Sequence, residues 1–483
     1  MILEDYTFEE IWPAGIGAIT QKQIKSLSNR DFARLSKAHR ERLIALGYSR
    51  RAAISAVRKL KKIRSKHQRE HLLLQQQEML HAQYQESHLL NSFLPKRARR
   101  WISPANRKVT TSISAKNFSL LDDPKSTLKT LADIVRFEGI AKSARLNFDD
   151  ERVLDVSPYL LLGLLSGRMA PFITGGKISR GTQKVLEAVG LRDFLGIEPF
   201  RNRNDRLDIW PFSLQRRHPQ SDTSAVPGES ISFQKLSDRL VDAVNEWLAA
   251  LPEPRTLSGE AMGQISNIAT ETLNNAERHS QDGGNGDWVV AGFMARRRVD
   301  EDGKAYPNYS LDHWYDCHLA FVNRGRPICD AVMTTPSSDV KNQILGYQKR
   351  HKSKSGCSKE TLATAFAMQD NISSKPDNAG GKGMMTIVEV TNELSLNGID
   401  GKGPKITVLS GKSCVMFSGD YCGFHRLKGE GAGRTQYFNP LQDIENPPSN
   451  EHVFDLDVQF PGTVIAVRFT LDPETMEALN DDS

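Results

Sequence analysis

The amino-acid sequence predicts an α+β protein in three parts: a basic helical arm over 1–110, a small α/β unit over 118–220 and a larger unit over 230–475. Three observations predict this organisation. Cations are concentrated at the start of the chain, strand-like and helix-like segments alternate in the middle, and glycine-bearing turns follow apolar segments in the second half. With 483 residues, the chain is long enough for two or three domains that each bury a core.

The arm is distinguished by its charge. Residues 1–110 hold 22 Lys or Arg against 9 Asp or Glu, whereas the net charge of the whole chain is +6. The span from Tyr48 to about Leu90 lacks Gly and Pro, which predicts one long helix or a helical hairpin. Two functional interpretations stay open for the cations of residues 50–66: contact with nucleic-acid phosphates, or docking to an acidic partner protein. A merely solvated basic helix has the same pattern.

The small unit is predicted to run strand, helix, strand, helix. The four segments are 143–150, 157–165, 170–174 and 180–195. Ser157 before Pro158 is typical of a helix start, because the hydroxyl can cap free N–H groups and proline suits the first turn. The run is faintly similar to STAS domains, in which a Ser at this place is phosphorylated. The similarity makes Ser157 a candidate phosphosite, against the simpler interpretation that it is a helix cap.

In the larger unit, the segment 260–281 predicts a helix with a polar and an apolar face. Glu271, Asn275 and His279 recur every fourth residue, so a helix brings them to one side. The apolar stripe that suits packing against a sheet consists of Ile265, Ile268, Ala269, Thr272 and Ala276. A carboxylate and a carboxamide one turn apart can orient a water and complete the oxygen shell of Mg²⁺. An ordinary amphipathic helix with a solvated polar face is the alternative.

Three segments follow this helix. Residues 319–328 predict a buried strand that ends in a turn, and residues 379–387 predict a glycine loop that opens a helix. Such a loop can present backbone N–H groups to phosphate. A late strand is predicted from Pro461 to Leu471, where apolar and polar residues alternate.

The order and spacing of these segments resemble the GHKL ATPases, the family of gyrase, heat-shock chaperones, histidine kinases and MutL. Glu271 and Asn275 match the family's first box, and His279 stands where a His often follows. The resemblance covers about residues 255–472. It implies a GHKL-type α/β sandwich, in which helices lie on one face of a mixed, mostly antiparallel sheet.

The remaining boxes match with two departures. Asn323-Arg-Gly325-Arg-Pro327 stands at the second box, Asp-x-Gly-x-Gly; Gly381-Lys382-Gly383-Met384 stands at the third; Gly462-Thr463 opens the late strand. Asn323 replaces the family's adenine-reading Asp. An Asn carbonyl can still accept a hydrogen bond, but without a charge the contact to the base weakens. Pro327 replaces a glycine, fixes φ and removes an N–H.

The resemblance implies ATP and Mg²⁺ as cofactors. Asn275 would coordinate Mg²⁺ and Glu271 would orient or deprotonate the attacking water. The nucleotide-binding residues would be Asn275, Asn323, Gly325, Gly381, Lys382, Gly383 and Thr463, with a lid over about 331–378. The function expected is that of a slow ATPase or ATP-gated switch acting on a protein or nucleic-acid partner. The alternatives are a protein kinase of the anti-sigma or histidine-kinase type, and a scaffold with a degenerate nucleotide pocket.

The cysteine pattern and the lengths of the apolar runs indicate the cellular compartment. The five cysteines form no Cys-x-x-Cys pair, so we expect reduced thiols and a cytoplasmic protein. No apolar run approaches the roughly 18–20 residues that span a bilayer, and the start of the sequence lacks the features of a signal peptide. We therefore expect no membrane partner, and a homodimer stays open.

Overall fold

The computed structural model describes most of the chain in two compact units. The described residues are 27–62, 64–65, 88–94, 111–139, 144–169, 173–195, 209–217, 233–251, 253–279, 288–298, 313–334, 337–370, 372, 383–396, 403–426 and 433–479. The smaller unit contains those up to residue 65, and the larger unit contains those from residue 88 onward.

The smaller unit has two described helices, α1 (Asn29–Ala45) and α2 (50–62). The hydroxyl of Ser28 caps α1 by accepting the N–H of Asp31, as expected of a serine before a helix. The turn between the helices contains Gly47 with φ +86°, a left-handed conformation that suits glycine.

A small core shows how the two helices meet. Phe32 and Leu35 of α1, together with Leu27 just before this helix, pack with Leu60 near the end of α2. The guanidinium of Arg64 lies 4.4 Å from the ring centroid of Phe32. The two helices therefore form an antiparallel hairpin. The predicted continuation to about Leu90 lies outside the described residues over 66–87.

The larger unit is a mixture of helices and strands. Its helices are α3 (His88–Phe93), α4 (Pro124–Gly139), α5 (Ser157–Met169), α6 (Arg180–Ala188), α7 (Leu191–Phe194), α8 (Phe233–Ala249), α9 (Gly259–His279), α10 (Ile328–Met333), α11 (Ser338–His351), α12 (Lys359–Phe366) and α13 (Gly383–Glu393). Its strands are β1 (Thr111–Ala115), β2 (Ala144–Phe148), β3 (Ile173–Ile178), β4 (Ile209–Arg217), β5 (Arg255–Leu257), β6 (Trp288–Arg298), β7 (His313–Arg324), β8 (Lys405–Ser418), β9 (His425–Arg426), β10 (Arg434–Thr435), β11 (Val453–Thr470) and β12 (Met476–Ala478).

Eight of the described strands form a large antiparallel sheet and a small parallel one, while β5 pairs with β12 and β9 pairs with β10. The large sheet has the order β4-β6-β7-β11-β8, and all four neighbouring pairs are antiparallel. The small sheet has the order β1-β2-β3 with parallel pairs. The predicted α+β class, with a mostly antiparallel sheet, is therefore confirmed.

One face of the large sheet is covered by helices α8, α9 and α13. Alternate residues of β7 point to this face, including Cys317, Leu319 and Phe321, because side chains alternate across a strand. The predicted apolar stripe of α9 lies in the same core: all five of its residues are buried. The predicted helix is thus present over Gly259–His279, and its apolar stripe packs against the sheet as expected.

The second face of the large sheet is also covered. The GHKL resemblance implied helices on one face only, but Val289, Ala291, Ala320 and Val322 point away from α9 and share a core with α5. These apolar side chains need a covering layer, and the small α/β segment supplies it. The segments predicted as separate units over 118–220 and 230–475 therefore form one compact unit.

The end of the basic arm and the end of the small α/β segment both differ from the predicted boundaries, because each contacts residues that are distant in the sequence. The arm was extended to residue 110, but Leu90 and Phe93 of α3 are buried in the larger unit, where the Phe93 and Phe460 rings lie 6.2 Å apart. Strand β4 lies inside the predicted 118–220 segment, yet it pairs with β6 of the large sheet. Neither partner is close in sequence, so local patterns could not locate these contacts.

Ser157 begins helix α5 and is fully buried. Its hydroxyl donates to the Asp155 carboxylate, which also accepts the N–H groups of Ser157 and Leu120, each at 2.6 Å. Burial raises the pKa of Asp155 above its ordinary value. Because the Ser157 hydroxyl is enclosed and bonded, its environment favours the structural role over phosphorylation.

The predicted lid over about 331–378 contains helices α11 and α12. Every residue from Thr361 to Phe366 in α12 is buried. The Thr361 hydroxyl donates to Asp455 at 2.5 Å, and the Thr364 hydroxyl bonds Ser413 at 3.1 Å. Since moving α12 would expose a packed face, it belongs to the core of the unit rather than to a movable lid.

Among the helices in the described part of the chain, none is both long and apolar enough to cross a bilayer. All five cysteines are buried with free thiols.

Candidate functional site

Helix α9 presents its polar residues beside the start of helix α13. Glu271 and Asn275 are partly buried, and α9 packs directly against α13. The side chain of His279 at the end of α9 is outside the described part of the structure. Near the other end of α9, the Gln264 amide donates to Glu393 at 2.7 Å, which joins α9 to the last residue of α13. Burial and the nearby Glu389 carboxylate raise the pKa of Glu393.

Gly383 brings the first and third predicted motifs together. It is the first residue of α13, and a Cβ atom there would lie 2.8 Å from Asn275 Nδ2 and 2.9 Å from Glu271 Oε2. Both distances are shorter than real Cβ contacts, so only glycine leaves the two side chains in place. A helix start carries unpaired N–H groups and a partial positive charge. The Glu271 carboxylate thus lies where the helix dipole favours a negative group.

A second contact between predicted motifs joins Asn323 to Thr463. They are directly opposite each other on β7 and β11, and Asn323 Oδ1 accepts the backbone N–H of Thr463 at 2.8 Å. Asn323 follows the alternation of Leu319 and Phe321, so it lies on the sheet face that carries α9 and α13. All four motifs therefore have described residues on one side of the sheet.

Gly462, just before Thr463, has a backbone conformation and a close neighbour that only glycine tolerates. Its φ is +146°, and a Cβ there would lie 2.0 Å from the carbonyl oxygen of Asn323. Gly325 closes the same corner, because its N–H donates to the Pro461 carbonyl at 3.1 Å. The turn after β7 and the start of the late strand are consequently held against each other by backbone contacts.

Ser410 also contacts these two segments, and the sequence carries no signal for it. Its hydroxyl lies 3.0 Å from Thr463 Oγ1 and accepts the N–H of Ile328 at 2.8 Å. Ile328 follows Pro327, so Ser410 fixes the segment that contains this proline. No local pattern in β8 marked Ser410, because its role depends on pairing with β11.

Arg434 is a second residue without a sequence signal. Its guanidinium donates to Asp370 Oδ2 at 2.7 Å, to Glu389 Oε2 at 2.5 Å and to the Thr386 hydroxyl at 3.0 Å. Burial alone would lower the pKa of Arg434, but the carboxylates of Asp370 and Glu389 raise it. Thr386 and Glu389 belong to α13, so Arg434 ties the helix that begins at Gly383 to the end of the α12 segment.

Gly381 and Lys382 lie outside the described residues, so their place beside Gly383 stays a prediction. Among the described residues, no group of three or more His, Cys, Asp or Glu side chains could hold a metal ion. Asn275 and Glu271 supply the oxygen donors that suit Mg²⁺, and an ion there would need phosphate and water for its other ligands.

Comparison with known proteins adds no assignment. No family model, curated protein or solved structure matches this chain.

Proposed function

We propose that the larger unit binds ATP·Mg²⁺ between α9, the start of α13 and the adjoining sheet face, as the resemblance to GHKL ATPases implies. In this proposal the protein is a slow ATPase or an ATP-gated switch that acts on a protein or nucleic-acid partner. One observation carries it: Gly383 abuts both Glu271 and Asn275, although 108 residues separate Asn275 from Gly383.

The chemistry of the described residues supports each role. Bound Mg²⁺ would neutralise phosphate charge, and the Asn275 carbonyl would hold it. The first N–H groups of α13 would donate to phosphate oxygens, as helix starts do in many nucleotide sites. Glu271 is within reach of the same helix start, where it would accept a proton from an attacking water.

The part of the proposed site that would bind the adenine base offers fewer suitable groups than the part that would bind phosphate. Asn323 is neutral, and its Oδ1 already accepts the Thr463 N–H. Its Nδ2 is a donor, so the contact to an adenine amine would rest on the second lone pair of Oδ1. We therefore expect ATP to bind weakly and to be poorly distinguished from other nucleoside triphosphates.

Calorimetric titration of the full chain with ATP and Mg²⁺ tests binding. We expect saturable binding by the wild type and at least about a tenfold loss in Asn275→Ala, since an Mg²⁺ ligand is removed. Asn267→Ala is the matched control, because Asn267 is exposed two turns earlier on α9. Absence of nucleotide binding by the wild type at any Mg²⁺ concentration would refute the proposal.

Turnover of ATP requires a separate measurement. Thin-layer analysis of the products from labelled ATP distinguishes hydrolysis, transfer to a partner and an inert pocket. Glu271→Gln should keep nucleotide binding and lose turnover, because the amide cannot accept the proton from water. Glu260→Gln changes an exposed carboxylate of the same helix and should leave both unchanged. Equal phosphate release by wild type and Glu271→Gln would remove Glu271 from the mechanism.

A further inference from the structure

The smaller unit carries an unusually uniform charge on helix α2. No Asp or Glu occurs between Glu41 and Glu70 in the sequence. Within 50–62, every cation of α2 is exposed: Arg50, Arg51, Arg58, Lys59, Lys61 and Lys62. These side chains have no acidic neighbour on their own helix, so their charge is directed to solvent or to a partner.

Helix α1 adds a second row of cations. The exposed residues Arg30, Arg34, Lys37 and Arg40 recur every third or fourth residue, opposite the buried Phe32, Leu35, Ser36, His39 and Leu43. Asp31 and Glu41 are the exposed acids of the described part of α1. Helix α1 is thus amphipathic, and the exposed surface of the hairpin is strongly basic.

The geometry of the hairpin fits phosphate contacts. At about 1.5 Å per residue, residues 50 to 62 extend over roughly 18 Å. Duplex DNA presents a phosphate on each strand about every 3.4 Å of axis, so α2 covers about five phosphates of one strand. Six cations over that length match the charge that a nucleic-acid backbone presents.

The composition of the exposed face favours nucleic acid over an acidic protein. Stable protein interfaces are built around a dehydrated core that is rich in apolar and aromatic side chains and depleted of lysine and of acidic residues. The exposed face of α2 within 50–62 carries a single large apolar side chain, Ile54, among cations and Ser55. Contacts to phosphate need no apolar core, because released counterions supply the free energy.

The antiparallel hairpin also limits the kind of recognition. Phe32 at the start of α1 lies beside Leu60, near the end of α2, and beside Arg64, just beyond it, so α2 lies along α1. A helix-turn-helix motif instead sets its helices at about 90–120°, which lets the second helix enter the major groove. In this hairpin, α2 is placed to contact backbone phosphates rather than base edges.

We propose that the outer face of α2 binds the phosphate backbone of nucleic acid without sequence specificity. Arg50, Arg51, Arg58 and Lys59 make phosphate contacts together with Lys61 and Lys62. This binding needs no nucleotide in the larger unit. The measurements are made without ATP, so a failed nucleotide site leaves their outcome unchanged.

The test is equilibrium binding of the full chain to fluorescent duplex DNA, single-stranded DNA and RNA across a range of salt concentrations. The wild type should bind at low salt, with a slope of log K against log salt of about −5 on duplex DNA and about −4 on single strands for six phosphate contacts. The triple variant Lys59→Gln, Lys61→Gln, Lys62→Gln should bind at least about tenfold more weakly, with a slope shallower by about 3. A circular dichroism spectrum equal to that of the wild type shows that the variant is folded.

The matched control removes three lysines elsewhere. Lys349, Lys352 and Lys354 are exposed at the end of α11 in the larger unit, and their change to Gln alters the net charge equally. Retained binding in this control, with loss in the α2 variant, supports the proposal. Equal loss in both variants, or no binding by the wild type at low salt, overturns it.

Two further probes address other anionic partners. Poly-glutamate represents an acidic protein, and anionic phospholipid vesicles represent a membrane surface that the exposed Ile44, Leu46 and Ile54 could enter. Tighter binding to nucleic acid than to either probe supports the proposal. Equal or tighter binding to poly-glutamate or vesicles overturns the assignment of nucleic acid.

Discussion

The side-chain carbonyl of Asn323 accepts the backbone N–H of Thr463 at 2.8 Å, across the antiparallel pair of β7 and β11. This contact uses one of the lone pairs that an adenine amine would need. An Asp at this position could accept the same N–H with one carboxylate oxygen and leave the other for the base. The Asn323–Thr463 pair therefore suggests a direct gain-of-binding experiment.

Asn323→Asp should increase affinity for ATP relative to GTP. A hydrogen bond to a charged acceptor contributes about 1.5–3 kcal/mol, so we expect at least about a tenfold change in the ratio of dissociation constants. Without nucleotide the variant should be less stable, because Asn323 is 7% exposed and a buried carboxylate lacks a partner for its free oxygen. Calorimetry with both nucleotides measures the ratio.

The control for this variant is Asn342→Asp, which adds the same charge at an exposed position of α11. It should leave the ATP-to-GTP ratio unchanged. An unchanged ratio in Asn323→Asp as well would mean that Asn323 does not face the base.

Gly383→Ala should weaken ATP binding without unfolding the protein. The new Cβ would meet Asn275 Nδ2 at 2.8 Å and Glu271 Oε2 at 2.9 Å, both at the ends of flexible side chains that can move aside. We expect at least about a tenfold loss of ATP affinity from misplacing the Mg²⁺ ligand. The free energy of unfolding should change by less than about 1 kcal/mol, as measured by denaturant titration.

Gly263→Ala is the control within α9. Gly263 is exposed in the helix, and a Cβ there meets nothing within 4 Å. Alanine should stabilise the helix by about 0.5–1 kcal/mol and leave ATP affinity unchanged. If Gly383→Ala bound ATP as tightly as this control, the start of α13 would have no part in the site.

The sequence predicted those features that depend on local periodicity. The α9 stripe, a helix that begins within 379–387 and the strand containing Thr463 follow from patterns within short segments. The contact of Gly383 with Asn275 was expected only through the family resemblance. Patterns of spacing therefore located the site elements, but not their mutual arrangement.

The features that the sequence did not predict depend on distant partners. Arg434 and Asp370 are 64 residues apart, and Ser410 is 53 residues from Thr463. The covering of the second sheet face by α5 likewise joins Leu161 to the core that contains Val289 and Ala320. Sheet register and buried ion pairs are set by tertiary packing, which no window of neighbouring residues encodes.

Arg434→Gln should strongly destabilise the larger unit. The Arg434 side chain is 10% exposed and that of Asp370 is 5% exposed, so the change leaves a buried carboxylate without its cation. Removing one partner of a buried ion pair costs about 3–5 kcal/mol. Denaturant titration followed by tryptophan fluorescence measures the loss.

Arg426→Gln provides a matched comparison, because Arg426 also pairs with Glu389 but its side chain is 71% exposed. Surface pairs contribute about 0–1 kcal/mol, so this change should have little effect. Equal destabilisation by the two changes would show that burial does not determine the contribution of Arg434.

His318 should make the protein less stable in mild acid. Its ring is stacked on Phe293 with centroids 4.4 Å apart, and its pKa is lowered well below 6.5 by burial and by the charges of Arg468, Arg297 and Arg152. Because the folded-state pKa is depressed, the unfolded chain takes up a proton first. The free energy of unfolding should therefore fall by up to about 1.4 kcal/mol per pH unit as the pH is lowered below about 6.5.

His318→Phe should flatten this dependence, since phenylalanine keeps an aromatic ring against Phe293 and cannot be protonated. His425→Gln removes an exposed histidine of β9 and should leave the slope unchanged. Denaturant titrations at several pH values between about 5 and 8 measure the slopes around the ordinary histidine pKa. A slope in His318→Phe as steep as in the wild type would assign the acid sensitivity to other groups. A shallower slope in His318→Phe alone would establish that folding requires His318 to be neutral.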